Sequence, residues 1–149
     1  MIYLLDSDAV AALVTPNRES HDIFMTHAKN LQRKDRFCLS ILTIYEIEYS
    51  IHSFTDDRKK EEAIKSLSAL KKSLDIIRLN VDDAAIYGRL KAGYKKYTGI
   101  NRKAIRKHNL DISLASLAIA HNATLISGDS IYLTLQKVDD GLRYENWLV

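Results

Sequence analysis

Four acidic residues stand where the strands and helices of an α/β fold would meet. Asp6 directly follows the apolar run at residues 1–5, and Asp129 comes shortly after the apolar run at residues 123–127. Glu46 and Asp111 each fall in the first turn of a predicted helix. In an open parallel sheet, ligands bind beyond the carboxyl ends of the strands, and the helices that follow the strands begin at that edge. We therefore expect the four carboxylates to converge on one small volume.

Such a cluster of carboxylates is typical of a site for a hard divalent cation. Carboxylates held close together repel one another, and this repulsion raises the pKa of at least one of them. Mg²⁺ and Mn²⁺ prefer oxygen ligands and relieve the repulsion. The five histidines show no metal-ligand spacing with the single cysteine, Cys38, which argues against a zinc site. The pattern indicates metal-assisted hydrolysis of a phosphodiester.

Three of these acids also have a purely structural interpretation. Glu46 follows Thr43 at the spacing of a capping box, in which the acid only completes the start of a helix. Asp111 favours a helix N-terminus through the helix dipole, and Asp129 after Gly128 is a common turn residue. Asp6 is harder to explain in this way, because it directly follows a buried strand. The four positions together are far more specific than any one of them.

The stretch from Arg89 to His108 carries the densest positive charge of the chain. It contains no acid and eight basic residues: Arg89, Lys91, Lys95, Lys96, Arg102, Lys103, Arg106 and Lys107. Such a field attracts polyanions, although a solvated helix end followed by a loop would have the same composition. The candidates for contact with a polyanion are Lys95, Lys96, Arg102, Lys103, Arg106 and Lys107.

The elements that must position these residues alternate between strand and helix. Apolar runs predict strands at residues 1–5 and 123–127, and short strands are expected at 37–40 and 75–79. Alternation of apolar and polar residues predicts a closing strand at 142–148. Helical periodicity predicts helices at residues 9–14, 20–33, 43–53, 58–73, from 81 onward, 110–121 and 131–136, with a loop at 98–107. This order predicts an α/β fold, a mainly parallel sheet flanked by helices on both faces. No linker interrupts it, so we expect a single domain over residues 1–149.

Composition excludes several other classes of protein. Of the 149 residues, 46% are hydrophobic and 28% are charged, as in ordinary globular proteins. One cysteine cannot form an internal disulfide, and the apolar runs are too short for a bilayer crossing. Asp6 and Asp8 near the start do not resemble a signal peptide. These features predict a cytoplasmic protein with no membrane association.

Four segments together resemble one protein family. The segments MIYLLDSDAV, LSILTIYEIEYSI, NLDISLASLAIAHNATLISGD and GLRYENWL are similar to PIN-domain ribonucleases, most closely the VapC-type toxins of toxin–antitoxin pairs. The resemblance implies a three-layer sandwich and a catalytic, metal-binding site at Asp6, Glu46, Asp111 and Asp129. It also implies Mg²⁺- or Mn²⁺-dependent cleavage of RNA, a cognate antitoxin and a homodimer. Ser7 and Ser127 match positions where a hydroxyl supports the acids.

The sequence departs from the family pattern at three positions. Asp8 stands where Asn is common, and Gly128 where Asn or another polar residue is common. Tyr132 occupies a place where some members carry a further acid. Asp8 either adds a carboxylate to the site or caps the helix that follows it.

These residues suggest a mechanism. We expect Asp6, Asp111 and Asp129 to hold one metal ion or two, and Glu46 to bind the second ion or to orient water. The basic stretch would hold the RNA backbone. Because sequence-specific recognition of RNA usually targets unpaired bases, we expect a structured RNA loop as the substrate.

Three other functions fit parts of the sequence. LLDSDAV and ISGD resemble motifs of haloacid-dehalogenase-like phosphatases, in which Asp6 would be a covalent nucleophile and Asp8 an acid/base. That interpretation leaves Glu46 and Asp111 unexplained. A non-catalytic PIN-fold module that binds RNA or protein is the second alternative. A phosphate-receiving regulator is the third, but no suitable pair of Asp and Lys stands out.

Overall fold

A five-stranded parallel sheet forms the centre of the computed structural model, which describes residues 1–149. The strands are β1 (Ile2–Leu5), β2 (Arg36–Ser40), β3 (Asp75–Ile77), β4 (Thr124–Ile126) and β5 (Arg143–Glu145). Their order across the sheet is β3-β2-β1-β4-β5, and each neighbouring pair is parallel. The chain fills one side of β1 before crossing to the other side, so the topological switch point lies between β1 and β4.

Seven α-helices connect and cover the strands. They are α1 (Ser7–Val14), α2 (Glu19–Ala28), α3 (Ile41–Ser53), α4 (Asp57–Ser73), α5 (Ala84–Thr98), α6 (Asn109–Ala120) and α7 (Ile131–Val138). Short 3-10 turns at Val81–Asp83 and Ala104–His108 precede α5 and α6. None of the helices combines the length and apolar character needed to cross a bilayer.

The hydrophobic core is divided by the sheet into two clusters. Leu4 of β1 points into a cluster with residues of α5, α6 and α7, such as Leu90 and Leu117. Tyr3 and Leu5 point the other way, into a cluster that α1 and α2 cover. An apolar strand without alternation is therefore buried on both faces, as expected for a parallel sheet. The predicted three-layer sandwich is confirmed.

Several predicted boundaries differ from the observed ones. The helix predicted at 20–33 ends at Ala28, after which the Asn30 N–H donates to His27 O at 3.0 Å, three residues back, and the chain tightens into a turn. The loop predicted at 98–107 ends in the Ala104–His108 turn. The strand predicted at 142–148 pairs with β4 only over Arg143–Glu145.

The capping box predicted at Thr43 is wrong. Helix α3 begins earlier, at Ile41, and its N-cap is Ser40, whose Oγ accepts from the Thr43 N–H at 2.9 Å. The Thr43 hydroxyl instead donates to Leu5 O at 3.2 Å, which ties α3 to the end of β1. Glu46 therefore lies in the second turn of the helix and takes no part in capping it.

Candidate active site

Asp6 lies at the carboxyl end of the central strand, directly at the topological switch point. Its side chain is only 7% exposed. The Asp6 Oδ1 atom caps α1 by accepting from the Ser7 N–H at 2.7 Å, and the Asp6 N–H donates to Ile126 O at 3.0 Å. The carboxylate is thus fixed between the start of α1 and the end of β4.

Two hydroxyl groups fix the second oxygen of Asp6. The Ser127 Oγ donates to Asp6 Oδ2 at 2.9 Å and accepts from the Asp129 N–H at 3.1 Å, so one serine links two of the predicted acids. The Tyr132 hydroxyl donates to the same Oδ2 atom at 3.2 Å. Asp129 itself is exposed, and its Oδ1 accepts from the Ile131 N–H at 3.0 Å.

Tyr132 is the contact that the sequence analysis did not predict. Its side chain is fully buried, and burial with the surrounding carboxylates raises the pKa of Tyr132 far above its usual range. The hydroxyl therefore keeps its proton and donates to Asp6. Two signals were available: Tyr132 lies three residues after Asp129 at the start of α7, and it stands where some members of the resembled family carry a further acid.

The acids lie close enough together for their charges to act on one another. Burial raises the pKa of Asp6 to about 7, and the charges of Asp8 and Glu46 reinforce this rise. Burial also raises the pKa of Glu46, Asp111 reinforces that shift, and a hydrogen bond from Ser7 opposes it.

Asp111 completes the acidic group from the first turn of α6. Burial raises the pKa of Asp111, the Asp129 carboxylate reinforces the rise, and His108 and Tyr132 oppose it. The His108 Nδ1 atom lies 3.6 Å from Asp111 Oδ2. Because α6 precedes β4, its N-terminus lies at the edge where β4 ends. The structure thus brings together Asp6, Glu46, Asp111 and Asp129, as expected from their places in the sequence.

Asp8 does not cap α1, so that alternative is wrong. The cap is Asp6, and Asp8 lies in the first turn of the helix. Its Oδ2 atom accepts from the Gly128 N–H at 2.8 Å, across the switch point. Its Oδ1 atom is buried and has no hydrogen-bond partner.

The donor set fits a hard divalent cation. No three residues form a ready-made metal cage, but Mg²⁺ is commonly held by one or two carboxylates together with several waters. Clustered carboxylates with raised pKa values, and a buried carboxylate oxygen without a donor, are where a cation would lower the free energy. The candidate ligands are Asp6, Glu46, Asp111 and Asp129.

Half of the predicted RNA-binding residues line one cavity. Lys95, Arg102 and Arg106 surround a cavity of about 470 Å³ between α5 and the Ala104–His108 turn, and Lys91 joins them there. The other three, Lys96, Lys103 and Lys107, are exposed but do not line it. None of the seven cations takes part in an ion pair, so their charge is available to a ligand.

A larger cavity lies beside the acids. It measures about 740 Å³ and lies between α1 and the pair α3 and α4. Ser7 and Asp8 line it, together with apolar residues such as Val10, Ile47 and Leu67. The cavity therefore reaches from the acidic site along an apolar surface.

Comparison with known proteins identifies the family. The family model described as "PIN domain" matches residues 3–139. The chain belongs to the PIN domain family. Members of this family use divalent metal ions, in agreement with the donor set. The membership also decides against the two alternatives from other families, the phosphatase and the phosphate-receiving regulator.

Individual relatives match the PIN chain over almost its whole length. Ribonuclease VapC2 of Rickettsia felis is 26% identical over 147 residues, which cover 99% of this chain and 98% of that protein. The structure of VapBC2 from Rickettsia felis bound to a promoter DNA fragment matches with a TM-score of 0.72 at 25% identity, covering 99% of each chain. FitAcB from Neisseria gonorrhoeae matches with a TM-score of 0.73 at 20% identity, covering 99% of this chain and 98% of that one.

Proposed function

We propose that this PIN protein is a metal-dependent endoribonuclease and the toxin of a toxin–antitoxin pair. The observation that carries the proposal is the buried Asp6 carboxylate at the switch point, surrounded by Glu46, Asp111 and Asp129. The relative from Rickettsia felis is named a ribonuclease, and it matches the chain from end to end. Burying the Asp6 carboxylate beside other acids destabilises a fold, so its presence is best explained by chemistry.

The proposed metal ion is Mg²⁺ or Mn²⁺, held by the four carboxylates directly or through water. When bound, such an ion activates water for attack on phosphorus and stabilises the departing oxygen. The chain's own part is orientation. Ser127 and Tyr132 donate to Asp6 Oδ2, which leaves the remaining lone pairs of that carboxylate to a ligand. Ser127 also fixes the backbone of Asp129.

The proposed substrate is a structured RNA loop. The cavity lined by Lys91, Lys95, Arg102 and Arg106 offers four cations to consecutive phosphates. Phosphate contacts of this kind position a nucleic acid without reading its sequence. Unpaired bases of a loop would be free to reach the acids.

The proposed protein partners are an antitoxin and a second copy of this chain. The structural neighbours include VapBC complexes. The resemblance to VapC-type toxins implies that this chain also has a cognate antitoxin. The 740 Å³ cavity supports this proposal, because a peptide segment of the antitoxin could lie along its apolar wall and reach Asp8. The proposed location is the cytoplasm, which contains the proposed RNA substrate.

Cleavage of total cellular RNA by the purified, antitoxin-free protein tests the proposed function. We expect discrete fragments with Mg²⁺ or Mn²⁺ and none with chelator. Asp6→Asn should abolish them, while Asp140→Asn, an isosteric change at an exposed acid, should not. A thermal melt of each variant separates loss of chemistry from loss of fold.

Two outcomes would contradict the proposal. Fragments that persist with chelator or in Asp6→Asn would show that these acids do not carry the reaction. Binding of RNA without cleavage, with either metal, would favour the non-catalytic PIN-fold module.

A further inference from the structure

Asp8 is held against the active-site loop by one strong donor. Its Oδ2 atom accepts from the Gly128 N–H at 2.8 Å. The Ser127 Oγ lies 3.4 Å from the same atom, but it lies only 2.9 Å from Asp6 Oδ2. A hydroxyl has a single proton to donate, so Ser127 satisfies Asp6, and the donors left to the Asp8 carboxylate are the backbone N–H groups of Gly128 and Ala9.

The other oxygen of Asp8 is buried and unsatisfied. Asp8 Oδ1 is shielded from solvent and has no hydrogen-bond partner. The one other buried side-chain atom without a partner is the neutral hydroxyl oxygen of Thr124. A charged oxygen without a donor costs far more free energy than a neutral one. A cation, or a water held by a cation, would supply the partner that this oxygen lacks.

Asp8 lies close enough to the acidic site for its charge to act on the other acids. Asp8 lies two residues after Asp6 in the first turn of α1. Its carboxylate acts electrostatically on Asp6 and on Glu46, and Asp129 acts on it. Asp8 is therefore part of the same cluster rather than a separate surface acid.

Gly128 makes this placement of Asp8 possible. A Cβ atom on Gly128 would lie 3.0 Å from Asp8 Oδ2 and 3.1 Å from Leu148 Cδ1. With a side chain at position 128, the Asp8 carboxylate and Leu148 would each have to shift by a few tenths of an ångström. Gly128 thus lets Asp8 lie close to the loop without such a shift.

We propose that Asp8 is a fifth carboxylate of the metal site, with Oδ1 as its ligand atom, directly or through one water. The inference rests on the proposed function, because it concerns the cation that the four other acids would hold. Asp8 could instead have only a structural role, as a strap that ties α1 to the Gly128 loop. That role would need the Oδ2 atom alone, and an asparagine at position 8 would fill it equally well.

Binding of Mn²⁺ to the RNA-free protein, measured by titration calorimetry, tests the proposal. Asp8→Asn keeps an oxygen acceptor for the Gly128 N–H but removes the charge. We expect it to weaken Mn²⁺ binding about 10-fold or to remove one bound ion, since changes around metal ligands typically cost 10–100-fold in affinity. Asp140→Asn is the matched control and should bind Mn²⁺ like the unmodified protein.

The variants separate the metal ligand from the strap. Asp8→Ala removes both functions and should bind Mn²⁺ no better than Asp8→Asn. If Asp8→Asn binds Mn²⁺ with unchanged stoichiometry and affinity while Asp8→Ala loses it, Asp8 is a strap and the inference is overturned. If the unmodified protein binds Mn²⁺ and both variants bind it equally well, the inference about Asp8 is wrong, while the proposed function still stands. If the unmodified protein binds no Mn²⁺, the proposed function falls with it.

Discussion

Asp6 is the one acidic or basic residue among the buried residues, and its burial has a cost. Three donors, the Ser7 N–H, the Ser127 hydroxyl and the Tyr132 hydroxyl, offset part of the lost hydration. These donors do not cancel the whole cost of burial, because burial still raises the pKa of Asp6 to about 7. The stability lost at this residue is consistent with selection for chemistry rather than for folding.

The sequence predicted this residue but not all of its partners. Asp6 was predictable because a buried parallel strand ends at a known edge of the sheet. The contact from Tyr132 was not, because a tyrosine three residues after Asp129 gives no indication of where its hydroxyl points. The spacing was visible, whereas the side-chain direction depends on how α7 packs against β4.

The raised pKa of Asp6 predicts the pH dependence of stability in the metal-free protein. An unfolded aspartate has a pKa of about 3.9, so between about pH 4 and pH 7 the folded protein binds more protons at Asp6 than the unfolded chain does. The free energy of unfolding should therefore fall as the pH rises through this window. A shift of about three pKa units corresponds to a contribution of up to about 4 kcal/mol.

Denaturant unfolding in chelator, between pH 5 and pH 8, measures this dependence. Asp6→Asn should be more stable than the unmodified protein at pH 8 and should show a flatter profile. Burial raises the pKa of Asp8, Glu46 and Asp111 as well, so part of the slope should remain. An unchanged slope in Asp6→Asn would show that Asp6 is already ionised at low pH.

The elements of the fold were predicted more accurately than their ends. Five predicted segments became five parallel strands. Burial on both faces leaves a strong signal in the central strands β1, β2 and β4, whereas the edge strands β3 and β5 are short and more exposed. The start of α3 was mispredicted for an instructive reason. Ser40 and Thr43 can both cap a helix, and Glu46 stands where a capping box expects an acid. Glu46 is acidic because of its place in the site, so a local rule failed at a candidate functional residue.

The 3-10 turn before α6 shows a second limit of the sequence pattern. Residues Ala104–His108 are highly charged and have no helical periodicity, so they resemble a loop. The turn is held by the Asn101 Oδ1 atom, which accepts from the Ala104 N–H at 2.7 Å, and by burial of Ile105. These two interactions place Arg102 and Arg106 beside α5 and create the basic cavity.

We expect the basic side chains that line this cavity to contribute most to RNA binding. The triple change Lys95→Gln, Arg102→Gln and Arg106→Gln should weaken RNA binding and reduce its dependence on salt. The log–log slope should fall by about 0.7 for each phosphate of a single strand that the variant no longer neutralises. Lys96→Gln, Lys103→Gln and Lys107→Gln remove the same charge outside the cavity and should have a smaller effect.

Fluorescence anisotropy with a labelled RNA hairpin, at several KCl concentrations, compares the two triple variants. The Asp6→Asn background prevents cleavage during the measurement. Equal losses of affinity in both variants would mean that the stretch acts only through its overall positive field, and that the cavity is not a phosphate site.

At the scale of the whole molecule, α3 presents a surface that suits a second copy of the chain. Tyr45 and Tyr49 are 68% and 77% exposed, and they lie one turn apart on the helix that carries Glu46. Exposed aromatic residues are enriched at protein interfaces, and homodimers mostly form around a two-fold axis. A two-fold axis at these tyrosines would place the α3 helices, and with them both copies of Glu46, on neighbouring sides of one interface.

Light scattering with size-exclusion chromatography tests this arrangement. The unmodified protein should have twice the chain mass of 17.0 kDa, and Tyr45→Ser with Tyr49→Ser should have the mass of one chain. Tyr97→Ser, a change at a tyrosine of α5 that is 55% exposed, is the control and should stay dimeric. Because neither tyrosine contributes to the acidic site, Mn²⁺ binding should survive in the double variant. A protein that elutes as one chain before any substitution would rule out this interface.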